Sequence, residues 1–306
     1  MDIGDFKLSD NLPKIDKPCA IAMLKPWIDV GRVGSLSIDQ LCKSLKAIEI
    51  ARLKEPGKYF DFTRYRPYMK NIDNKRILEI PNTIIYYAKD EISNKNYLFL
   101  KIREPHMYGE NYTNSITQLL THFEVNEYCR IGGMYDSVPH TRPIIVTGSL
   151  TNEQNALTQG LVSPRKNTYQ GPTSIINLVT EMAEKQGILT TSLMAHLPQY
   201  AQLDEDHMAT YKLLQVLSSL YGFTDDIYDS NKGKKQYEDL DIAIEKNPQI
   251  NSLVKQLEIY YDNVLSLDAS NNENFSDDVE KFLSEMENRL SGPEDYSQDY
   301  MPKDIQ

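Results

Sequence analysis

Cys19-Ala20-Ile21-Ala22-Met23-Leu24 leads directly into Lys25-Pro26-Trp27-Ile28-Asp29-Val30-Gly31-Arg32-Val33-Gly34, and apolar residues then recur at Ile38, Leu41, Leu45 and Ile48. The first run is short, apolar and uninterrupted, the pattern of a strand buried on both faces. The second carries turn residues, with Gly31 and Gly34 free to turn tightly or approach another backbone closely. The third follows helical spacing, with Ser35 or Ser37 placed to cap it. Together they read as a strand, a loop and a helix.

The same alternation continues outward. Thr83 to Ala88 and Tyr97 to Ile102 are β-rich runs separated by a polar turn, Asp90 to Asn96. Asn114 opens a helical stretch through Ile116, Leu119, Leu120 and Phe123, and Cys129 to Met134 is a strand ending in glycines. Thr173 or Ser174 caps a helix through Ile175, Leu178, Val179 and Met182, stopped by Gly187. Ile188 to Met194 is the next strand; Asp204 then caps a helix through Met208, Tyr211, Leu214 and Leu217, stopped by Gly222. Strands alternating with helices predict a layered α/β domain over residues 18–223. Residues 1–17 read as an N-terminal arm. Residues 224–290 read as a helical region. In it, Asn231 to Lys235 is an exposed loop, one helix carries Ile250, Leu253, Leu257, Tyr260 and Val264, and another is capped at Ser276. These helices would pack on the main domain or on a second subunit. Residues 291–306 read as a disordered acidic tail.

Composition narrows the function classes. Hydrophobic content of 40% and charged content of 25% are ordinary globular usage. The net charge of -11 is uneven: residues 1–223 are within one charge of neutral, and the segment from Asp268 to Gln306 alone carries 11 acids against 3 bases. No basic groove is expected, so nucleic acid is not an expected partner. The acidic start is not a signal peptide, and no apolar run reaches the length of a membrane span. Cys19, Cys42 and Cys129 are far apart and odd in number, which argues against a disulfide framework and for a reducing, cytoplasmic setting.

Standard catalytic and cofactor fingerprints are missing. There is no phosphate-binding Gly-x-x-x-x-Gly-Lys-Ser/Thr loop, no Gly-x-Gly-x-x-Gly, no Gly-x-Ser-x-Gly elbow and no His-Glu-x-x-His. The five histidines lack metal-ligand spacing, so no metal or cofactor is expected. One segment stands out: Pro139-His140-Thr141-Arg142-Pro143, followed by the strand-like Ile144 to Thr147. Its two prolines stiffen a turn that holds a titratable ring, a hydroxyl and a cation. Ligands of open α/β sheets bind beyond the carboxyl ends of strands. Glu104 closes one strand, Gly132 another, and Leu197-Pro198-Gln199-Tyr200 a third. Tyr169-Gln170-Gly171-Pro172-Thr173 enters a helix whose free N–H groups suit an anion. Two readings stay open. Glu104, Gly132, His140, Thr141, Arg142, Tyr169, Gly171 and Tyr200 line one ligand crevice, or they are structural clasps, foremost a Glu104–Arg142 ion pair.

In their order and spacing these motifs resemble the proteasome assembly chaperone family, in its bacterial and archaeal branch. The resemblance spans about Pro18 to Gly222 and rests on Asp61-Phe62 with Arg66-Pro67, Glu104-Pro105, Pro139 to Pro143, Tyr169 to Pro172, and Leu197 to Tyr200, with Gln199 where histidine is usual. It implies a three-layer α/β/α domain, like that of nucleoside phosphorylases and related hydrolases, with C-terminal helices, and a homo-oligomer. Eukaryotic relatives assemble proteasome α-rings, and some archaeal relatives dock on proteasomes through a C-terminal hydrophobic-Tyr-x tail. The last residues here, Lys303-Asp304-Ile305-Gln306, lack that tail, so direct docking of that kind is not expected.

The expected function is therefore that of a homo-oligomeric, protein-binding, assembly-chaperone-like protein without catalysis. The alternative is a small-molecule hydrolase or transferase, or a ligand-binding protein. There Arg142 would hold an anionic group in a crevice with Tyr169, and Glu104 or His140 would act as acid or base. A carboxylate–amine ligase would need an ATP site, for which no motif is present. A third possibility is a scaffold whose acidic C-terminal helices bind a partner.

Overall fold

A computed structural model describes residues 1–72, 74–158, 160–163, 171–224 and 227–268 of the chain. In chain order its strands and helices are β1 (Asp2–Ile3), β2 (Phe6–Leu8), β3 (Cys19–Lys25), α1 (Val33–Ser44), β4 (Ile48–Leu53), β5 (Tyr68–Ile72), β6 (Lys75–Glu79), β7 (Ile84–Lys89), β8 (Asn96–Arg103), α2 (Gly109–His122), β9 (Glu127–Asp136), β10 (Val146–Ser149), α3 (Asn152–Thr158), α4 (Ile175–Lys185), β11 (Leu189–Pro198), α5 (His207–Tyr221), α6 (Ser230–Glu245) and α7 (Pro248–Asp268).

Nine strands form one sheet in the order β1-β2-β4-β7-β8-β3-β9-β11-β10. The four central strands, β8, β3, β9 and β11, are parallel, and the flanks are antiparallel. Alternation along the strands builds two cores. Ala20, Ala22 and Leu24 of β3 and Leu98, Leu100 and Ile102 of β8 face Ile116, Leu119 and Leu120 of α2 and Ile176 and Val179 of α4. Ile21 and Met23, with Tyr97 and Phe99, face Val33, Ile38 and Leu41 of α1 and Leu213, Val216 and Leu217 of α5. The fold is thus a three-layer α/β/α domain, as the sequence predicts, because near-continuous apolar strands need cover on both faces.

Several elements differ from the sequence reading. The segment 1–17 is not a free arm: β1 and β2 extend the sheet edge through β4, and Phe6 and Leu8 are buried. Helix α1 starts at Val33, after Arg32 in the left-handed region (φ 52°), so Ser35 and Ser37 lie inside it. The cap comes instead from Asp29, whose carboxylate accepts from the Ser35 amide at 2.8 Å and its hydroxyl at 2.5 Å. Ile48 belongs to β4 rather than to α1. Helix α2 starts five residues before Asn114, its buried face opened by Tyr112 rather than by an aliphatic residue. Asp206, not Asp204, caps α5, with Oδ1 accepting from the Ala209 amide at 2.8 Å.

Asn231 to Lys235 lies in α6, not in an exposed loop: Gly233 lets α6 come against the backbone of Met208, which a β-carbon would meet at 2.8 Å. The helical face Gly233, Tyr237 and Ile244 is too sparse in apolar residues to show in the sequence. The ribbon β5–β6 was also not predicted. All ten residues of its two strands are exposed, so burial imposes no alternation on them. The segment capped at Ser276 and the tail 291–306 lie outside the described residues. No helix among the described residues is long and apolar enough to cross a membrane.

Candidate functional site

The Pro139–Pro143 turn sits at the carboxyl side of the sheet and faces the two C-terminal helices. His140 is 5% exposed and fully engaged. Its amide donates to the Tyr200 hydroxyl oxygen at 2.8 Å, its Nδ1 lies 2.5 Å from the same hydroxyl, and its Nε2 lies 2.8 Å from Oδ1 of Asp241 in α6. For a neutral ring one arrangement satisfies every group: Tyr200 donates to Nδ1, and Nε2–H donates to Asp241. Tyr200 and Tyr237 pack edge-on against the imidazole. Burial holds the Tyr200 phenol above its ordinary range, so it stays protonated and available as a donor.

The next two residues reach α7. Thr141 Oγ1 donates to Glu258 at 2.6 Å. Arg142 forks onto Asp262, Nε to Oδ1 at 2.9 Å and an Nη to Oδ2 at 2.8 Å, and donates to Glu258 at 3.0 Å. Tyr261 of α7 closes the contact by donating to the Pro143 carbonyl at 2.7 Å. The turn is a clasp, and what it holds is the helical pair α6–α7.

The other predicted site residues are elsewhere. There is no Glu104–Arg142 pair. Glu104 accepts from the Ile175 amide at 3.0 and 3.2 Å, so a carboxylate at the end of β8 supplies the cap of α4 that Ser174 does not. Burial raises the Glu104 pKa, and the Ile175 amide opposes the shift. Gly132 is a packing position, pressed against the Ile28 backbone. Gly171 is exposed, and Tyr169 lies outside the described residues. The single crevice expected from Glu104, Gly132, His140 and Arg142 is therefore not formed: Arg142 and Glu104 serve different helices. Sequence reasoning also missed the partners Asp241, Glu258 and Asp262. It missed a second hydrogen-bonded histidine as well, His196, held between Asp136 and Thr147 at 2.8 Å each and tying β9, β11 and β10 together. Among the described residues no group of three or more His, Cys, Asp or Glu is placed to hold a metal.

The clasp has a pH signature. The bond from Arg142 holds the Asp262 carboxyl below its ordinary 3.8. A lowered carboxylate contributes stability that is fully present above its unfolded pKa and is lost as pH falls through the folded value. Urea midpoints measured between about pH 5 and pH 2.5 should therefore fall less steeply in Arg142→Ala than in the unaltered chain. Parallel curves would remove the clasp from the acid response.

A three-layer α/β/α domain whose Pro-His-Thr-Arg-Pro turn pins C-terminal helices to the sheet defines the class. The PAC2 family model matches residues 23–238, and the chain belongs to the PAC2 family. The match runs past residue 223 into α6, the helix that Asp241 joins to His140. Solved structures share the fold. A protein of unknown function from Corynebacterium glutamicum aligns with a TM-score of 0.75 at 22% identity, covering 85% of this chain and 97% of its own. A proteasome-assembly chaperone homologue from Mycobacterium tuberculosis aligns at 0.67 and 20%, covering 77% and 99%. An archaeal proteasome activator from Pyrococcus furiosus aligns at 0.60 and 16%, covering 80% and 99%. No curated protein matches the chain.

Proposed function

We propose that this chain is a homo-oligomeric, cytoplasmic, protein-binding protein of the assembly-chaperone type, acting without catalysis on partners related to proteasome subunits. The observation that carries this reading is the use made of the signature turn. His140, Thr141 and Arg142 spend their polar groups on Tyr200, α6 and α7, so the most distinctive residues support a surface rather than a reaction. Ile242 of α6 and Ile259 of α7, on the helices that the turn holds, are 54% and 64% exposed. Large exposed aliphatic side chains on held helices suit a protein partner. The structural relatives described as a proteasome-assembly chaperone homologue and a proteasome activator support the same choice of partner.

Co-expression with proteasome α-subunits, followed by size exclusion with light scattering, tests the proposal. The chain should elute as more than one copy and carry α-subunits with it. His140→Ala with Arg142→Ala should weaken that co-elution while leaving the sheet folded. A monomer that never co-elutes with α-subunits overturns the reading.

A further inference from the structure

The main sheet protects both of its ends. β1, at one end, is two residues long. β10, at the other, is four residues long, and Ser163 covers its outer side, its amide donating to the Val146 carbonyl at 2.8 Å. The β5–β6 ribbon has no such protection. It forms a sheet of its own with no third strand, and every residue of its two strands is exposed. Tyr68, Met69, Ile72, Ile77 and Leu78 are among them, each between 45% and 53% exposed. A two-stranded ribbon is at best marginally stable in water, and an open strand edge is a template for another chain. Among the described residues no backbone group outside the ribbon bonds to either edge.

The sequence of β6, Lys75-Arg76-Ile77-Leu78-Glu79, fits a second copy of itself. Set antiparallel to an identical strand about a two-fold axis through Ile77, it places Ile77 against the partner's Ile77. On one side of that pair Lys75 then faces the partner's Glu79, and on the other Glu79 faces the partner's Lys75. Opposite charges across a strand pair stabilise it and like charges destabilise it. Glu79 already pairs with Lys70 inside the ribbon, whereas Lys75 has no ion-pair partner among the described residues. The join therefore gives each free lysine a carboxylate. Every pair in this register links two odd-numbered or two even-numbered positions, so amides and carbonyls that face out of one edge meet those that face out of the other. β5 does not fit in the same way: pairing about its centre sets Lys70 against the partner's Lys70. Lysine on an open edge commonly keeps other strands away; on β6 the glutamate at the far end turns that guard into a match for one strand.

We propose that the outer edge of β6 is an interface for a second copy of this chain, two ribbons joining into one antiparallel sheet. The contact is isologous, so it closes at two copies and does not grow into a filament. A single strand edge is small beside a standard interface of about 1,600 Å², so association should depend on concentration. The inference rests on the homo-oligomeric part of the reading above and supplies its surface. It is independent of the clasp and of the proteasome-related partner.

Sedimentation velocity of the full chain across the micromolar range tests this. The parent should pass from one copy to two as concentration rises. Lys75→Glu sets like charges opposite each other at both symmetric positions, and so does Glu79→Lys. Each variant alone should dimerise about tenfold more weakly or worse. Mixed one to one, the two variants recover an opposite pair at both positions, and the mixture should dimerise as the parent does. Misfolding could not produce that recovery, and both positions are exposed, so each variant should keep the parent's circular dichroism. Variants that dimerise like the parent, or a mixture no tighter than its components, overturn the β6 interface and leave the homo-oligomeric reading to another surface. A parent that stays a single copy throughout overturns both.

Discussion

Gly132→Ala is expected to destabilise the fold by about 2–4 kcal/mol. Gly132 lies within β9, and a β-carbon there would meet the Ile28 carbonyl oxygen at 2.3 Å and the Ile28 side chain at 3.1 Å. The nearer atom is backbone, so no rotamer change relieves the clash. That same carbonyl accepts from the Gly133 amide at 2.8 Å, and the next residue, Asp29, bridges to Gly133 and caps α1. Moving Ile28 away therefore disturbs three fixed contacts at once. Alanine would recover only about 1 kcal/mol from the reduced freedom of the unfolded chain. Gly187→Ala is the matched control. Gly187 follows α4 and has φ of +79°, but nothing lies within 4 Å of its β-carbon position, so only the conformational cost of about 1 kcal/mol applies. Urea midpoints of the two variants should separate clearly. If they coincide, the contact between the β3–α1 loop and β9 is looser than the structure has it. Gly132 reads in the sequence as a strand-end residue of a ligand crevice; what it meets is the chain's own backbone at Ile28.

Asp206→Ala is expected to cost about 3 kcal/mol, through two losses that add. The carboxylate is buried at the start of α5, where Oδ1 accepts from the Ala209 amide and Oδ2 accepts from the Tyr237 hydroxyl at 2.9 Å. Removing it uncaps α5, worth about 0.5–2 kcal/mol, and leaves the hydroxyl of buried Tyr237 without its acceptor, worth about 1–3 kcal/mol. Tyr237 packs edge-on against His140, so the damage should spread to the clasp. Hydrogen exchange should show α6 opening more readily in this variant than α2, which lies on the opposite face. Asp206→Asn keeps an acceptor for Ala209 and should cost about 1 kcal/mol. The pH dependence should move as well. Burial raises the Asp206 pKa above 3.8, with Ala209 and Tyr237 opposing the shift. A raised carboxylate favours the folded state when protonated, so its contribution is present below the unfolded pKa and is lost as pH rises through the folded one. Asp206→Asn should lack that component, which runs opposite in sign to that of Asp262. Equal pH profiles for Asp206→Asn and the parent would contradict this assignment.

The difference between what could and could not be read in advance lies in the range of the interactions. Strand β3, the loop after it and α1 were legible because burial imposes a period on neighbouring residues. Gly222 was legible as the end of α5 because a left-handed residue, here at φ +81°, is a local requirement. The Pro139–Pro143 turn could be singled out as stiff and polar for the same local reason. Its partners could not. Asp241, Glu258 and Asp262 follow about a hundred residues later, on helices rich in acids, and nothing nearby marks these acids from the rest. Glu104 looked like one half of an ion pair because opposite charges at strand ends invite that pairing; only the packing of α4 against β8 shows that it serves a helix terminus instead.

The sequence by itself determined the α/β alternation, the two-sided burial of the central strands and, through its ordered motifs, the family. These depend on patterns within a few residues or on residue identities. Tertiary structure alone decided which acid meets Arg142, that Gly132 is closed by Ile28, and that Glu104 caps α4. Each of these is set by strand register and helix docking, which bring distant residues within a few ångströms and leave no mark on the local sequence.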